Sequence, residues 1–362
     1  MAHYREPLVR RLQASQRIAV DLVGRFNNAE ATASERIASA SEDVLSAVEP
    51  LRTLRVGLWW WQRGDVAAVW RGGYDAYVLE GRFYTLSAWA AALAGRIRGR
   101  RVLLWGHGWK RPESGIKRHI RLCFYRLVDG LLVYGDRACQ LGLAYGVPPE
   151  KLAVVYNSLY PEHVLPRQPV NLARRRRGAT EGATLIYSSR LTTRHRLDTL
   201  AEALRHWPSG SPTPRVVVVG DGVERPRLER VFAEAGLEAQ FLGAVYDTDR
   251  LRDLYAHADL AVSIGGAGLN VIQALSFGIP VVAEAGHPDS SPEIEAVIEG
   301  ETGSYYDDAA SLRELLIQLL SDPEELYRMG SRGLELIRSR YTAERHAEAI
   351  EEALLVFTGA DE

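Results

Sequence analysis

Between Ser263 and Val282 the chain reads SIGGAGLNVIQALSFGIPVV. Gly265, Gly266 and Gly268 crowd the start of a short helical stretch, Gly278 closes it, and Ile-Pro-Val-Val opens a strand. Glycine lets main chain approach a ligand closely, and the N–H groups at a helix start carry partial positive charge suited to phosphate. A tight turn uses the same residues, so this stretch alone leaves binding and plain structure equally open. A second loop, in YSSRLTTRHRLD, places Arg190, Arg194, His195 and Arg196 after another strand, and arginine holds phosphate oxygens in pairs. VVVVGDG supplies a third, Gly220-Asp221-Gly222. If the strands share one parallel sheet, the three loops meet on its carboxyl rim, where such sheets bind ligands.

The elements that would position them are legible from Thr184 onward. ATLIYSSRL, PRVVVVGDG, AQFLGAV, DLAVSI and IPVVAEAG read as strands. RLDTLAEALRHW, RPRLERVFAEAG and DTDRLRDLYAHA alternate with them at helical spacing. Continuous apolar strands between helices indicate a parallel sheet covered on both faces, a doubly wound α/β domain. Asp247-Thr248-Asp249 reads as a helix cap rather than a metal-holding turn. In the first half RIAVDLVG, RVGLWW, AYVLEG, RVLLWGHG, GLLVYG and PEKLAVVYNSLY read as strands. The polar, basic LPRQPVNLARRRRGATEG reads as a linker or surface loop. Its ARRRRG run could meet nucleic acid or lipid, but a solvated charge run is the plainer reading, and nucleic acid is not an expected partner.

Composition sets bounds on function. The 362 residues are enough for two domains, and 46% hydrophobic content can fill two cores. No apolar run reaches the ~20 residues that span a bilayer, and no secretory leader is visible, so a cytoplasmic protein is expected. Cys123 and Cys139 show no metal spacing. Residues 1–165 hold 23 Lys and Arg against 15 Asp and Glu, whereas the remainder hold 21 against 31. A positive first half suits an anionic substrate or peripheral contact with the inner face of a membrane, or simply a soluble surface. Trp59, Trp60, Trp61 and Trp70 lie in this half. Three consecutive tryptophans on a strand cannot all face one way, so one or two at most are expected on an acceptor side.

Taken together, these pieces resemble the retaining, nucleotide-sugar-dependent glycosyltransferases of family 4, which have the GT-B fold. The similar pieces are Ser189–Leu191, Val219–Gly222, Phe241–Gly243, QALSFGIPVV, EGETGSYY, SDPEELYRMGSRG and, in the first half, VPPEKLAVVYNSLY. The resemblance implies an α/β chain of two Rossmann-like, doubly wound domains facing across a cleft. Residues 1–165 would form an acceptor-side domain, 166–182 a linker and 183–340 the nucleotide-sugar domain. Residues 341–358 would form a helix returning to the first domain. Arg190 would contact the donor diphosphate, with Arg194 and His195 beside it, His195 standing where the family has a lysine. The main-chain N–H groups of Gly268 and Leu269 would hold the distal phosphate, and Gly266 would lie at the donor. Gly220 and Asp221 would line the donor, and Gly243–Val245 would edge the base. His107, in WGHG, would lie near the transferred sugar and acceptor.

Two departures stand out. The family carries glutamates eight positions apart around the glycine turn; here those positions are Gly265 and Gln273. Gln273 can still hydrogen-bond a ribose hydroxyl. HYREPLVRRLQ resembles the family's first helix region, and the strand and glycine loop that normally precede it have no room before it in this sequence, which either starts late, is cut short or belongs to a sheet without that strand. The implied reaction moves a sugar from a nucleoside-diphosphate donor, UDP first and GDP next. The acceptor would be a saccharide, a lipid-linked molecule or a small molecule. No cofactor and no metal are expected. The rival readings are a non-catalytic nucleotide-sugar-binding protein and a sugar-nucleotide epimerase.

Overall fold

The computed structural model describes residues 3–24, 39–50, 52–171 and 182–360. The chain divides into two compact units. Of the described residues, one takes 3–24, 39–50, 52–158 and 343–360; the other takes 159–171 and 182–342.

In the first unit, β1 (Leu22–Gly24) pairs in parallel with β2 (Val48–Pro50). Strands β3 (Thr53–Val56) and β4 (Trp59–Gln62) form an antiparallel hairpin. RVGLWW is therefore not one strand. Gly57, at φ +60°, turns the chain between two β-rich runs, in the Gly-first pattern of a two-residue hairpin. RIAVDLVG contributes only its last three residues as strand. The main sheet is parallel and consecutive: β5 (Ala76–Glu80), β6 (Arg101–Gly106), β7 (Gly130–Val133) and β8 (Leu152–Val154). Alternation along β6 and β7 sends Val102, Leu104, Leu131 and Val133 into a core with helices Leu86–Arg98, Gly115–Leu127 and Asp136–Ala144. Trp105, Leu132 and Tyr134 go to the opposite face, against helices Glu6–Gln13 and Ala343–Thr358. The last helix presses close: a Cβ on Gly130 would lie 2.5 Å from the Phe357 ring.

The second unit has one six-stranded parallel sheet of β9 (Thr184–Ser188), β10 (Arg215–Val219), β11 (Ala239–Gly243), β12 (Leu260–Ser263), β13 (Val281–Glu284) and β14 (Gly303–Tyr306). Its order is β11-β10-β9-β12-β13-β14. The order reverses between β9 and β12, which makes that junction the topological switch point of a doubly wound sheet. Four of the strands are buried along most of their length because helices cover both faces. Asp247 caps helix Thr248–Ala256, its carboxylate accepting the Arg250 N–H at 2.8 Å. Residues 166–171, expected as linker, are packed on this unit. Asn171 donates to the Ala258 carbonyl at 2.7 Å, the Val170 N–H to Phe277 O at 3.1 Å, and Arg338 to Pro166 O. The rest of the expected linker, 172–181 with its ARRRRG run, lies outside the described residues.

Candidate active site

Strands β9 and β12 flank the switch point, and the two loops singled out in the sequence leave their carboxyl ends. The Ser189–Arg196 loop is locked to the Gly220–Gly222 loop by main-chain bonds: Ser189 N–H to Val219 O and Leu191 N–H to Asp221 O, both 3.0 Å. Glycine is required there, since a Cβ on Gly220 would collide with Ser189 O and one on Gly222 with Leu191 O. Asp221 turns its carboxylate onto the Gly222 N–H at 2.8 Å. Gly243, with φ +76°, accepts the Gly220 N–H at 2.8 Å, and half-buried Val245 follows it. The loops that carry Arg190–His195, Gly220–Asp221 and Gly243–Val245 thus lie together at the carboxyl ends of β9, β10 and β11.

The cations on this rim differ in what they are free to do. Arg190 and Arg194 are exposed, and neither is paired with a carboxylate among the described residues. Arg196, in a left-handed conformation, is tied to Glu284, which also receives the Tyr306 hydroxyl at 3.5 Å. His195 is buried, with Nδ1 2.8 Å from Thr192 Oγ1 and Nε2 3.3 Å from Ser189 Oγ. Burial first, then the charges of Arg194 and Arg190, push its imidazole down to about 4. It is neutral near neutrality and shapes the loop while the arginines carry the charge. The affinity of a nucleoside diphosphate therefore changes by less than about twofold on this imidazole's account between roughly pH 6 and pH 8, as isothermal titration would show. A ten-fold loss across that range would mean that a titrating histidine holds the phosphates.

Helix Leu269–Ser276 begins at Gly268, whose missing side chain faces open space. The Gly268 N–H, expected on a phosphate, is accepted by Asn270 Oδ1 at 2.8 Å, and Asn270 is held by Ser263 Oγ at 2.8 Å. The N–H groups of Leu269 and Asn270 meet no acceptor among the described residues. Gln273 is engaged at both ends of its amide. Oε1 accepts from Ser188 at 2.6 Å and from Tyr255 at 3.3 Å, while Nε2 donates to Tyr160 at 3.2 Å. Gly265 has φ +72°, and a Cβ there would collide with the Arg194 carbonyl. The two positions of the family's glutamates thus hold a glycine packed under the cationic loop and a glutamine knitted into the sheet.

One loop has no clear signal in the sequence. After β13 the chain returns across the glycine turn, where Ser290 Oγ accepts the Ala267 N–H at 3.2 Å and Ser291 donates to Ala267 O at 2.8 Å. This sets Asp289 against Gly266, its Cβ 3.1 Å from where a Gly266 Cβ would stand. Asp289 is exposed, has no cation partner among the described residues, and acts electrostatically on His195. Among the described residues no group of three or more His, Cys, Asp or Glu is placed to hold a metal ion.

In the first unit, His107 follows β6. Its ring packs edge-on to Tyr134 at 5.2 Å. Gly108, at φ +57°, sits against Val133 and Ala138, which fixes the turn. Low-dielectric surroundings, then Lys110, Arg5 and Arg82, hold its imidazole down at about 3, so it is neutral and can accept a hydrogen bond. Arg5 stacks 5.0 Å from the Trp105 ring and donates to Tyr134 at 2.7 Å.

With this geometry in place, similarity to known proteins can be weighed. Residues 171–335 match the family model for glycosyl transferases group 1. Anabaena HepE, solved in complex with UDP, superposes with a TM-score of 0.61 at 20% identity, covering 78% of each chain. The fold is GT-B. Another GT-B likeness is the putative UDP-N-acetylglucosamine 2-epimerase from Listeria monocytogenes, with TM-score 0.60 and 16% identity over 97% of this chain and 92% of that one. By sequence, the chain is 28% identical over 191 residues to the GDP-mannose-dependent monoacylated alpha-(1-6)-phosphatidylinositol monomannoside mannosyltransferase of Corynebacterium glutamicum. That match covers 49% of this GT-B chain and 48% of the relative, so it spans about half the length of the curated protein.

Proposed function

We propose that this protein is a retaining glycosyltransferase that takes a sugar from a nucleoside-diphosphate donor and places it on a hydroxyl acceptor. The observation that carries this reading is the rim at the switch point: a loop with two exposed arginines that have no carboxylate partner among the described residues, its backbone packed against the glycine turn that opens a helix. As the bond from sugar C1 to the diphosphate oxygen breaks, negative charge grows on the phosphate. Arg190, Arg194 and the N–H groups of Leu269 and Asn270 are suited to stabilise it without a protein-held metal. The acceptor oxygen bonds to C1 from the side the diphosphate leaves, and the departing phosphate oxygen takes the acceptor proton. The first unit would serve the acceptor, with neutral His107 accepting a hydrogen bond. Asp289 offers the turn the carboxylate it otherwise lacks, suited to sugar hydroxyls.

For the donor, sequence similarity favours GDP-mannose as much as fold likeness favours a UDP-sugar. The test is a thermal-shift screen of UDP, GDP and other nucleoside diphosphates, followed by product analysis with the matching sugar nucleotides. One nucleotide should raise Tm, and its sugar should appear on an acceptor with the donor's anomeric configuration. A 2-epimerised nucleotide sugar as sole product would replace this reading with the epimerase, and binding without any turnover would replace it with a binding protein. Asp289→Asn should lower kcat about tenfold or more while leaving nucleoside-diphosphate affinity unchanged. An equal loss in both would place Asp289 on the nucleotide instead.

A further inference from the structure

The β3–β4 hairpin carries an apolar face that the first unit does not use. Cross-strand register pairs Leu54 with Trp61 and Val56 with Trp59, and the turn adds Leu58. All five side chains are exposed, Leu58 at 83% and Val56 at 75%. The other face supplies the attachment. The Trp60 N–H donates to Tyr84 O at 3.0 Å, the Gln62 N–H to Ser87 Oγ at 2.9 Å, and the Trp60 ring meets Tyr84 and Arg82. The hairpin is therefore held by one side only. Its outer side would be costly to leave in water, since five large side chains on one short ribbon make a contiguous patch.

Charge indicates what covers it. From Arg52 to Arg63 the sequence RTLRVGLWWWQR contains no acidic residue. Arg52 and Arg63, at the ends of the hairpin, are exposed and paired with no carboxylate among the described residues, while exposed Arg55 lies over the Trp60 ring at 5.5 Å on the other face. Elsewhere in the same unit, helices Asp65–Arg71 and Leu86–Arg98 expose Trp70, Leu93 and Ile97, with Arg98 5.4 Å over the Trp70 ring and Arg96 donating to the Leu127 and Arg126 carbonyls. Tryptophan beside arginine, around an aliphatic tip, is the chemistry of a lipid headgroup boundary: indoles sit at the interface, aliphatic groups enter it, and guanidinium groups meet phosphate. We infer that the β3–β4 hairpin docks this protein on an anionic phospholipid surface, with Leu58 and the outer faces of Trp59 and Trp61 entering the interface. On the reading above, this bears on the acceptor, because an enzyme held there works on molecules displayed by the same surface.

The test is flotation of the purified protein with vesicles of phosphatidylcholine alone and of phosphatidylcholine with phosphatidylglycerol, for wild type, Leu58→Glu and Trp59→Ser/Trp61→Ser. Wild type should float with the anionic vesicles, bind about tenfold or more weakly in the variants, and weaken as salt rises. The variants' Tm and nucleotide-induced Tm shift should match wild type, since these side chains leave both the core and the rim untouched. A wild type that stays in the aqueous fraction, or variants that float equally well, would overturn the inference. So would a concentration-dependent dimer in sedimentation velocity that Leu58→Glu abolishes, because the face would then belong to a second copy. The nucleotide shift reports on the donor site separately, so failure on vesicles leaves the catalytic reading standing.

Discussion

Arg190→Ala removes the rise in Tm that a nucleoside diphosphate produces, and sugar transfer falls by roughly a hundredfold or more. The expectation rests on what the guanidinium has to do and what it lacks. It is exposed at the end of β9, beside the switch point, with no carboxylate partner among the described residues. A charge-assisted contact to phosphate is worth about 1.5–3 kcal/mol, or one to two decades in affinity. The effect on transfer is larger because phosphate charge grows as the glycosidic bond breaks. Titration calorimetry and initial rates together check this. Arg194→Ala should show the same pattern more weakly or share the loss, and Arg196→Ala should act mainly through Tm, because Arg196 is already tied to Glu284. If Arg190→Ala binds nucleotide as wild type does, the phosphate seat lies elsewhere.

Gly265→Glu, which puts an acid on the glycine turn, should damage the protein rather than improve it. The position has φ +72°, where a side chain is strained, and a Cβ there would strike the carbonyl of Arg194. Relief requires the Thr193–Arg196 turn to move, and with it the arginine loop. The expected cost is more than about 2 kcal/mol, a fall in Tm of roughly 5 °C or more. Nucleotide binding should be lost at the same time. Gly265→Ala should show most of the same damage, which separates backbone strain from charge. Gly268→Ala is the control for folding, since a Cβ there meets nothing within 4 Å. Wild-type Tm in Gly265→Ala would mean that the two loops are not packed as described.

Most of the second unit is legible in the sequence because five of its strands are dominated by apolar residues and its helices alternate with them, so period and length agree; β14, GSYY, has no apolar run and does not read as a strand. The rim loops followed from the order of strands and helices alone. The fates of individual side chains there did not. Gln273 reads as a free amide near a ligand until Tyr160, Ser188 and Tyr255 come together around it, and Tyr160 is 113 residues away. His195 reads as a phosphate ligand until two hydroxyls on its own loop enclose it. Asp289 reaches the glycine turn through the length of an irregular loop, which leaves no periodic trace. In the hairpin the signal is local: Gly57 between two β-rich runs marks a turn, although the apolar run Leu58–Trp61 after it continues the strand-like composition.

The final helix has a consequence for how the polypeptide is made. Ala343–Thr358 shields Leu132, Tyr134 and Val155 on one face of the first unit's sheet, yet it leaves the ribosome after every residue of the second unit. The amino-terminal unit therefore spends most of synthesis with that face covered by helix Glu6–Gln13 but not by Ala343–Thr358, and the carboxyl-terminal unit can finish first. Maturation of the first half awaits the last turn of the chain, and a release of the nascent polypeptide before Ala343 leaves a sticky, half-clad sheet for chaperones or proteases to meet.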